Sequence, residues 1–259
     1  MRLPRAVVVL AVVGAAIVDI GCSREVHLGS IGDAAATILW SATFEPGDLS
    51  EWTGDGLGEV DANIAAMPAV TTDVTHNGHY AGKTTVKPPA PGVDSINYFS
   101  RLQPSPGEAY YGAWVYIAPG FAVGTWLSVV HFRCSYTGDS TNTFPTWDIN
   151  LYPQPDGSLT AQLYNYVTGK DLQQTNPIAV PIGSWVHFEV FLKKTSDATG
   201  QFKVWQDDVE ILDAEGVVTA QTDWMEWSVG GASNNVSPSP GLVYIDDATI
   251  SVTRLGDRG

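Results

Sequence analysis

The segment from Ser184 to Ala214 constrains the fold most strongly, because it has the pattern of three short strands joined by two turns. From Val186 to Lys193, apolar and polar side chains alternate. Successive side chains of an extended strand point to opposite faces, so one face is apolar and the other is polar and exposed to water. Turns are predicted at Asp197–Gly200 and at Asp207-Asp208, with an apolar strand after each. The pattern predicts an antiparallel meander.

The rest of the chain supports an all-β protein with one large domain from about residue 37 to residue 255. The same alternation returns in several segments, and Asp156-Gly157 forms a favoured hairpin turn between two of them. The 26 glycines and 16 prolines fit a chain with many turns. We find no internal repeat, no linker between domains and no segment with the periodicity of a helix.

The N-terminus has the features of a bacterial export signal over residues 1–22. Two arginines precede an apolar run from Ala6 to Val18, which is too short to span a bilayer. Gly21-Cys22 follows and resembles a lipoprotein cleavage site, at which Cys22 would be lipidated. Residues 23–36 are small and polar, as in a tether. We therefore expect an exported protein, either a lipoprotein of the cell envelope or, as the alternative, a secreted one.

The chain has two cysteines, Cys22 and Cys134. Cys134 shares strand parity with Val130 and Phe132, which predicts a small buried side chain. A Cys22–Cys134 disulfide is the alternative in an oxidising compartment.

The charge balance limits the possible partners. Asp and Glu number 28 and Lys and Arg 13, which gives a net charge of −15. Such a chain repels nucleic acid and anionic lipid, and it disfavours a polyanionic substrate unless the site is locally basic. We expect a monomer that contacts a membrane only through a lipid anchor.

The meander also resembles a known family. Its Trp-x-His-Phe strand, starting at Trp185, and the later Lys-Val-Trp-Gln-Asp-Asp, starting at Lys203, are similar to a hairpin of concanavalin A-like jelly rolls. The nearest members are secreted polysaccharide lyases and laminin-G-like domains. The tip of this hairpin is usually Asp-Gly or Asn-Gly in those domains, and in this chain it is Asp207-Asp208. The resemblance implies a two-sheet antiparallel jelly-roll sandwich.

The same resemblance implies a structural calcium ion. Phe44-Glu45 followed by a Gly-containing turn and Trp52 is similar to the opening of carbohydrate-binding jelly rolls, and Val243–Ile250 is similar to their closing strand. In many relatives an acidic residue from each segment holds Ca²⁺, which binds carboxylate and carbonyl oxygens. The implied ligands are Glu45, Asp246 and Asp247.

A metal at His76 and His79 is disfavoured, because Asn77-Gly78 between them is a strong hairpin signal.

Polar side chains on alternate positions of three strands form the best candidate site. If the strands are neighbours, these residues line one groove: His131, Arg133, Asp148, Asn150, Tyr152, Gln162, Tyr164 and Tyr166. Aromatic rings stack on sugar faces, and amides and charged groups meet hydroxyls. Our first interpretation is a domain that binds an extracellular polysaccharide on this sheet.

The alternative is a lyase that cleaves a uronic-acid polymer by β-elimination. That reaction needs a group that neutralises the carboxylate, a base for the C5 proton and an acid for the leaving oxygen. Arg133 and Asn150 could neutralise, His131 could be the base, and Tyr164 or Tyr166 the acid. The resemblance adds Arg101 as a substrate-binding residue, together with Asp148, Tyr152 and Gln162.

A third possibility is a structural surface lipoprotein with no glycan role. Hydrolases find less support, because Glu210 and Asp213 point to opposite faces of a strand and no Gly-x-Ser-x-Gly is present.

Overall fold

The computed structural model describes residues 38–52, 67–101, 105–139 and 142–256. Within these ranges the chain is built of strands and contains no α-helix. The predicted export signal with Cys22 and the predicted tether lie outside the described residues. In the part that is described, no helix has the length and apolar character needed to cross a membrane.

The described residues form seventeen strands. Their bounds are β1 Ile38–Ala42, β2 Ala69–Thr71, β3 Ala81–Val86, β4 Ser95–Arg101, β5 Glu108–Ile117, β6 Ala122–Val123, β7 Leu127–Ser135, β8 Thr143–Pro153, β9 Leu159–Asn165, β10 Lys170–Leu172, β11 Ala179–Val180, β12 Trp185–Lys193, β13 Gly200–Gln206, β14 Val209–Val217, β15 Met225–Ser233, β16 Val236–Ser237 and β17 Gly241–Ser251.

Two large antiparallel sheets form a sandwich. The eight-stranded sheet has the order β14-β13-β12-β5-β17-β3-β2, with β1 also paired to β17. The seven-stranded sheet has the order β10-β9-β8-β7-β15-β4, with β11 also paired to β9. A short ladder joins β16 to β6. The predicted all-β, two-sheet jelly-roll sandwich is confirmed.

The core lies between the inward faces of the two sheets. Trp147 and Phe132 from one sheet meet Phe202 from the other, with ring centroids 5.2 and 5.3 Å from Phe202. Full burial of an aromatic or aliphatic side chain contributes about 1.5–3 kcal/mol, so this contact layer is a large part of the stability. Cys134 lies in the same core and is fully buried, as its parity predicted.

The predicted meander is formed by β12, β13 and β14. Its tip, Asp207-Asp208, takes positive φ at both residues, 46° and 64°, a conformation that Asp tolerates better than most residues. The Asp207 carboxylate accepts the backbone N–H of His187 at 2.8 Å. That hydrogen bond accounts for Asp at the first tip position, and Asp208 at the second forms an ion pair with Arg254.

The register of β7 and β8 fixes which polar residues become neighbours. Ser128 pairs with Asn150 and Val130 with Ile149, so Val129 is an extra residue on β7. Such a bulge changes the strand's twist locally and re-aims side chains. Beyond it His131 pairs with Asp148, and both point away from the core formed by Val130 and Ile149.

Candidate functional site

A row of polar residues crosses the seven-stranded sheet on the face turned away from the core. Each member pairs with the next across a strand boundary, from β4 to β10: Ser100, Ser228, His131, Asp148, Tyr164 and Asp171. The alternation in the sequence placed three of these on one face, and the strand order brings them side by side. The expectation that β7, β8 and β9 are neighbours is therefore confirmed.

His131, Asp148 and Tyr166 form a connected hydrogen-bond chain in this row. His131 Nδ1 and Asp148 Oδ1 share a very short contact, and the Tyr166 hydroxyl donates to Asp148 Oδ2 at 2.9 Å. His131 is 6% exposed and Asp148 only 1%. A carboxylate on Nδ1 selects the tautomer that carries its proton there, so Nε2 is the nitrogen that can accept one.

Tyr98 holds the other side of the His131 ring. The two rings are stacked with an interplanar angle of 5° and centroids 5.2 Å apart. Tyr98 itself is buried, at 2% exposure. With Asp148 in the ring plane and Tyr98 against the ring face, the imidazole has one well-defined orientation.

A cleft lies beside this hydrogen-bond chain. Its volume is about 360 Å³, and its walls are Asp94, Trp126, Asn150, Tyr152, Tyr164, Tyr166 and Asn234. We call it the tyrosine cleft. Tyr164 and Tyr166 meet edge to face, with centroids 4.7 Å apart, and the edge of Tyr166 faces the ring of His131 at 6.4 Å. The histidine therefore borders the cleft through Tyr166.

Two of the cleft tyrosines are held in the neutral form. Burial raises the pKa of Tyr166 well above its ordinary value, and the negative charge of Asp148 adds to the effect. Burial also raises the pKa of Tyr152, whose hydroxyl donates to Asp171 at 2.7 Å. Both phenols are therefore hydrogen-bond donors at any physiological pH.

Asn150 is the amide at the centre of the cleft. It is 4% exposed, and its Oδ1 atom has no hydrogen-bond partner among the described residues. Against the larger raising effects of burial and Asp171, Asn150 also acts to lower the pKa of Tyr152. A buried polar atom without a partner is costly, so a ligand group that satisfies it binds favourably.

Arg133 lies on β7 two residues beyond His131, but it is directed to other partners. Its Nε atom is 3.8 Å from Glu226 Oε1, and an Nη atom donates to the carbonyl of Thr143 at 3.1 Å. Glu226 is 3% exposed. The guanidinium therefore offsets the charge of a buried carboxylate next to the candidate site.

The other two substrate-binding candidates, Gln162 and Arg101, lie in different places. Gln162 on β9 pairs with Asn150 on β8 and lies on the same polar face of the sheet. Arg101 shares strand parity with Phe99 on β4 and lies over the Trp40 ring, 4.9 Å from its centroid. The structure thus brings Gln162 to the polar face, while Arg101 occupies a separate small cavity near Trp227.

The predicted calcium ligands contact the backbone of one loop. Glu45 Oε1 accepts the N–H groups of His79 and Tyr80 at 2.8 and 2.9 Å. Asp246 Oδ2 accepts the N–H groups of His76 and Asn77 at 2.9 and 3.3 Å.

Asp247 Oδ2 lies 2.9 Å from His76 Nδ1. In the described ranges, no three His, Cys, Asp or Glu side chains are placed to share a metal ion. In this arrangement the three carboxylates do not form a calcium centre, and the calcium site stays a prediction from the sequence.

Sequence reasoning missed Tyr98 beside His131 and several residues of the cleft walls. Tyr98 could have been found, because it alternates with Phe99 on β4 and so faces the polar side. Trp126, Asp94 and Asn234 come from three separate loops, and no sequence spacing connects them. The loops are tied together by hydrogen bonds: the Asn234 carbonyl accepts from the Gly92 N–H at 3.0 Å.

The fold and this site together define a β-sandwich of the type that handles polysaccharides. Residues 44–249 match the family model described as "Polysaccharide lyase". Because this match covers most of the chain, the protein belongs to that family.

Several solved structures share this fold. An endo-β-1,4-glucuronan lyase from the fungus Trichoderma reesei superposes with a TM-score of 0.62 at 18% identity, covering 84% of this chain and 96% of that one. Cellulose induced protein Cip1 gives 0.59 at 19% identity, covering 83% and 98%. An alginate lyase from Aplysia kurodai gives 0.51 at 11% identity, covering 83% and 99%. A comparison with curated protein sequences found no match.

Proposed function

We propose that this protein cleaves a uronic-acid-containing polysaccharide by β-elimination. The observation that carries the proposal is the buried His131–Asp148 pair, hydrogen-bonded to Tyr166 at the edge of the tyrosine cleft. A surface that only binds sugar gains little from burying a histidine and a carboxylate together, whereas a base needs a fixed tautomer and orientation. Membership of the polysaccharide lyase family supports the same reaction.

Three side chains of this site have the chemistry that the reaction needs. The side-chain NH₂ group of Asn150 donates a hydrogen bond to the uronate carboxylate and so makes the C5 proton more acidic. His131 Nε2 takes that proton, while the C4–O bond breaks and a C4=C5 double bond forms. The leaving oxygen takes its proton from the Tyr164 hydroxyl. Proton transfer from the imidazolium through water then restores Tyr164, so atoms and charge balance.

Non-catalytic binding of a glycan is the second candidate. It is favoured by the composition of the cleft walls, which include Asp94 and, among the described residues, neither Lys nor Arg. Neutral sugars fit such a surface, because tyrosine and tryptophan rings stack on their faces.

An absorbance assay near 235 nm on uronate polysaccharides separates the two candidates. Elimination creates an unsaturated product that absorbs there, and we expect His131→Ala to abolish the rise and Tyr164→Phe to lower kcat more than KM. Exposed Glu210→Gln, on β14 of the other sheet, is the control. If no acidic polymer gives a rise while glycans still bind, the lyase proposal is wrong and the binding proposal stands.

A further inference from the structure

The charges around the tyrosine cleft determine which uronic-acid polymers it can accept. This inference rests on the proposed function. We infer that the cleft prefers chains in which uronates are separated by neutral sugars over polymers made of uronate alone. The reason is a mismatch between the charge of such homopolymers and the charge of the cleft walls.

The cleft walls supply hydrogen bonds and ring faces but no positive charge. Among the described wall residues, Asp94 is the charged one, and the others are tyrosines, asparagines and a tryptophan. The charge of Asp94 reaches the reacting end of the cleft, because it contributes to the raised pKa of Tyr166. Asp171 adds a second carboxylate behind Tyr152, within hydrogen-bond distance of its hydroxyl.

The cations on the strands around this row do not correct this balance. Lys170 on β10 pairs with Asn165 and so has the opposite parity to Asp171 and Tyr164. Arg133, beside His131, faces the buried Glu226. Arg101 lies on the inward side of β4 over Trp40. The internal segments outside the described ranges contain no Lys or Arg, and the other cationic residues outside those ranges belong to the two ends of the chain: Arg2, Arg5, Arg24 and Arg258.

A homopolymer of uronate presents a carboxylate at every sugar position. One carboxylate can be accommodated at the Asn150 amide, where the reaction requires it. The next one along the chain would face Asp94 or the carboxylate behind Tyr152, with no cation among the cleft walls to offset them. Like charges at this range disfavour binding, and the overall charge of −15 slows the approach of a polyanion. A neutral sugar at the same position meets no such repulsion.

The far end of the cleft is built to hold such a neutral sugar. Trp126 offers a ring face, and its carbonyl accepts the Ser233 hydroxyl at 2.6 Å. The Thr125 hydroxyl donates to Asn234 Oδ1 at 2.6 Å, which fixes that amide and directs its NH₂ group elsewhere. A ring face beside a fixed amide donor suits a sugar with hydroxyls and no charge. The cleft volume, about 360 Å³, is at the lower end of the range for ligand pockets, so the selection acts on about one or two sugars.

The test compares two kinds of polymer with the full chain at matched uronate concentration and low salt. Deacylated gellan separates its glucuronates by neutral sugars, and polyglucuronate and alginate do not. We expect faster elimination on gellan, and an increase in the homopolymer rate with added salt as screening weakens repulsion. Asp94→Asn should raise the homopolymer rate by roughly 3- to 10-fold at low salt, and so raise the ratio of the homopolymer rate to the gellan rate. Glu210→Gln on β14 removes one charge far from the cleft and should change neither.

Two results overturn the inference. The first is a homopolymer rate at low salt equal to or above the gellan rate, which leaves the lyase proposal standing. If no polymer is cleaved, the proposed lyase function is wrong, and affinity electrophoresis tests the charge selection by itself. In that case the second overturning result is homopolymer binding as tight as gellan binding. Weaker homopolymer binding that Asp94→Asn restores supports the charge selection.

Discussion

His131 and Asp148 face each other directly across β7 and β8, and the histidine's Nδ1 atom contacts the Asp148 carboxylate. The pair is buried, and Tyr166 and Tyr98 hold it from two further sides. This relationship gives the seven-stranded sheet an imidazole with a fixed orientation beside a cleft, and the first prediction follows from it.

Asp148→Asn is expected to lower kcat by about 10²- to 10⁴-fold with little change in KM. An asparagine can present its NH₂ group to Nδ1 and so stabilise the wrong tautomer of His131, as in other histidine–carboxylate pairs. The measurement is steady-state elimination on the best polymer, with far-ultraviolet circular dichroism to check folding. A variant that keeps kcat within threefold would show that Asp148 does not orient the base.

The protein should lose stability in alkali from about pH 10 upward. Burial raises the pKa values of Tyr111, Tyr152 and Tyr166 in the folded state above the ordinary value near 10. A raised folded-state pKa gives a contribution that is complete below the unfolded value and is lost as pH rises through the folded one. Absorbance at 295 nm should show tyrosines that ionise only on unfolding. Complete titration of all ten tyrosines in the folded protein near pH 10 would contradict this.

Acid should destabilise the fold through His187. Burial lowers its pKa to about 4, with Asp208 opposing the shift and Arg254 and His76 adding to it. The neutral imidazole therefore contributes stability above the unfolded pKa near 6.5, which is lost as pH falls through about 4. The maximum effect is of the order of 3 kcal/mol.

His187→Gln should accordingly show a smaller fall in melting temperature between pH 7 and pH 4.5 than the wild type, and exposed His79→Gln should behave like the wild type. Asp246 works in the opposite direction, since burial raises its pKa to about 6 and its contribution is lost as pH rises through that value. It is present in all three proteins and cancels from the comparison. Equal pH dependence in all three would exclude His187 as the titrating group.

Arg254→Ala should destabilise the protein by about 1–3 kcal/mol, the low side of values for breaking a buried pair, because Arg254 is one-third exposed. Its Nε atom donates to Glu189 at 2.8 Å, and Glu189 is 1% exposed. Urea unfolding of Arg254→Ala, Glu189→Gln and the double variant forms a cycle. We expect the double variant to cost less than the two single changes together, and strict additivity would show that the pair does not interact.

Glu45→Gln should lower the melting temperature because it weakens the acceptor of two loop N–H groups. If calcium also binds there, as the sequence predicts, added calcium raises the melting temperature of the wild type and not of the variant. Differential scanning fluorimetry with calcium and with chelator measures both effects. If the wild-type melting curves with calcium and with chelator are identical, Glu45 binds no calcium and only accepts the two loop N–H groups.

The alternation of side chains determined the fold class and part of the site. Val186–Lys193 and the segments around Val130 and Ile149 each assign one face to the core, because a strand has a strict two-residue period. The same parity placed His131, Asp148 and Asn150 on a common polar face before any strand order was known. Strand parity depends on local backbone geometry, so the sequence alone was sufficient to predict which side chains face the core.

Tertiary structure decided which polar residues meet and which do not. Arg101 carries the right chemistry for a uronate, but its parity on β4 turns it toward Trp40. Arg133 has the right parity and lies beside Glu226, a neighbour that only the β7–β15 pairing supplies. Trp126 and Asn234 reach the cleft from separate loops. Pairing between distant strands and the approach of distant loops are not recorded in local spacing, so the charge and shape of the cleft could be known only from the folded chain.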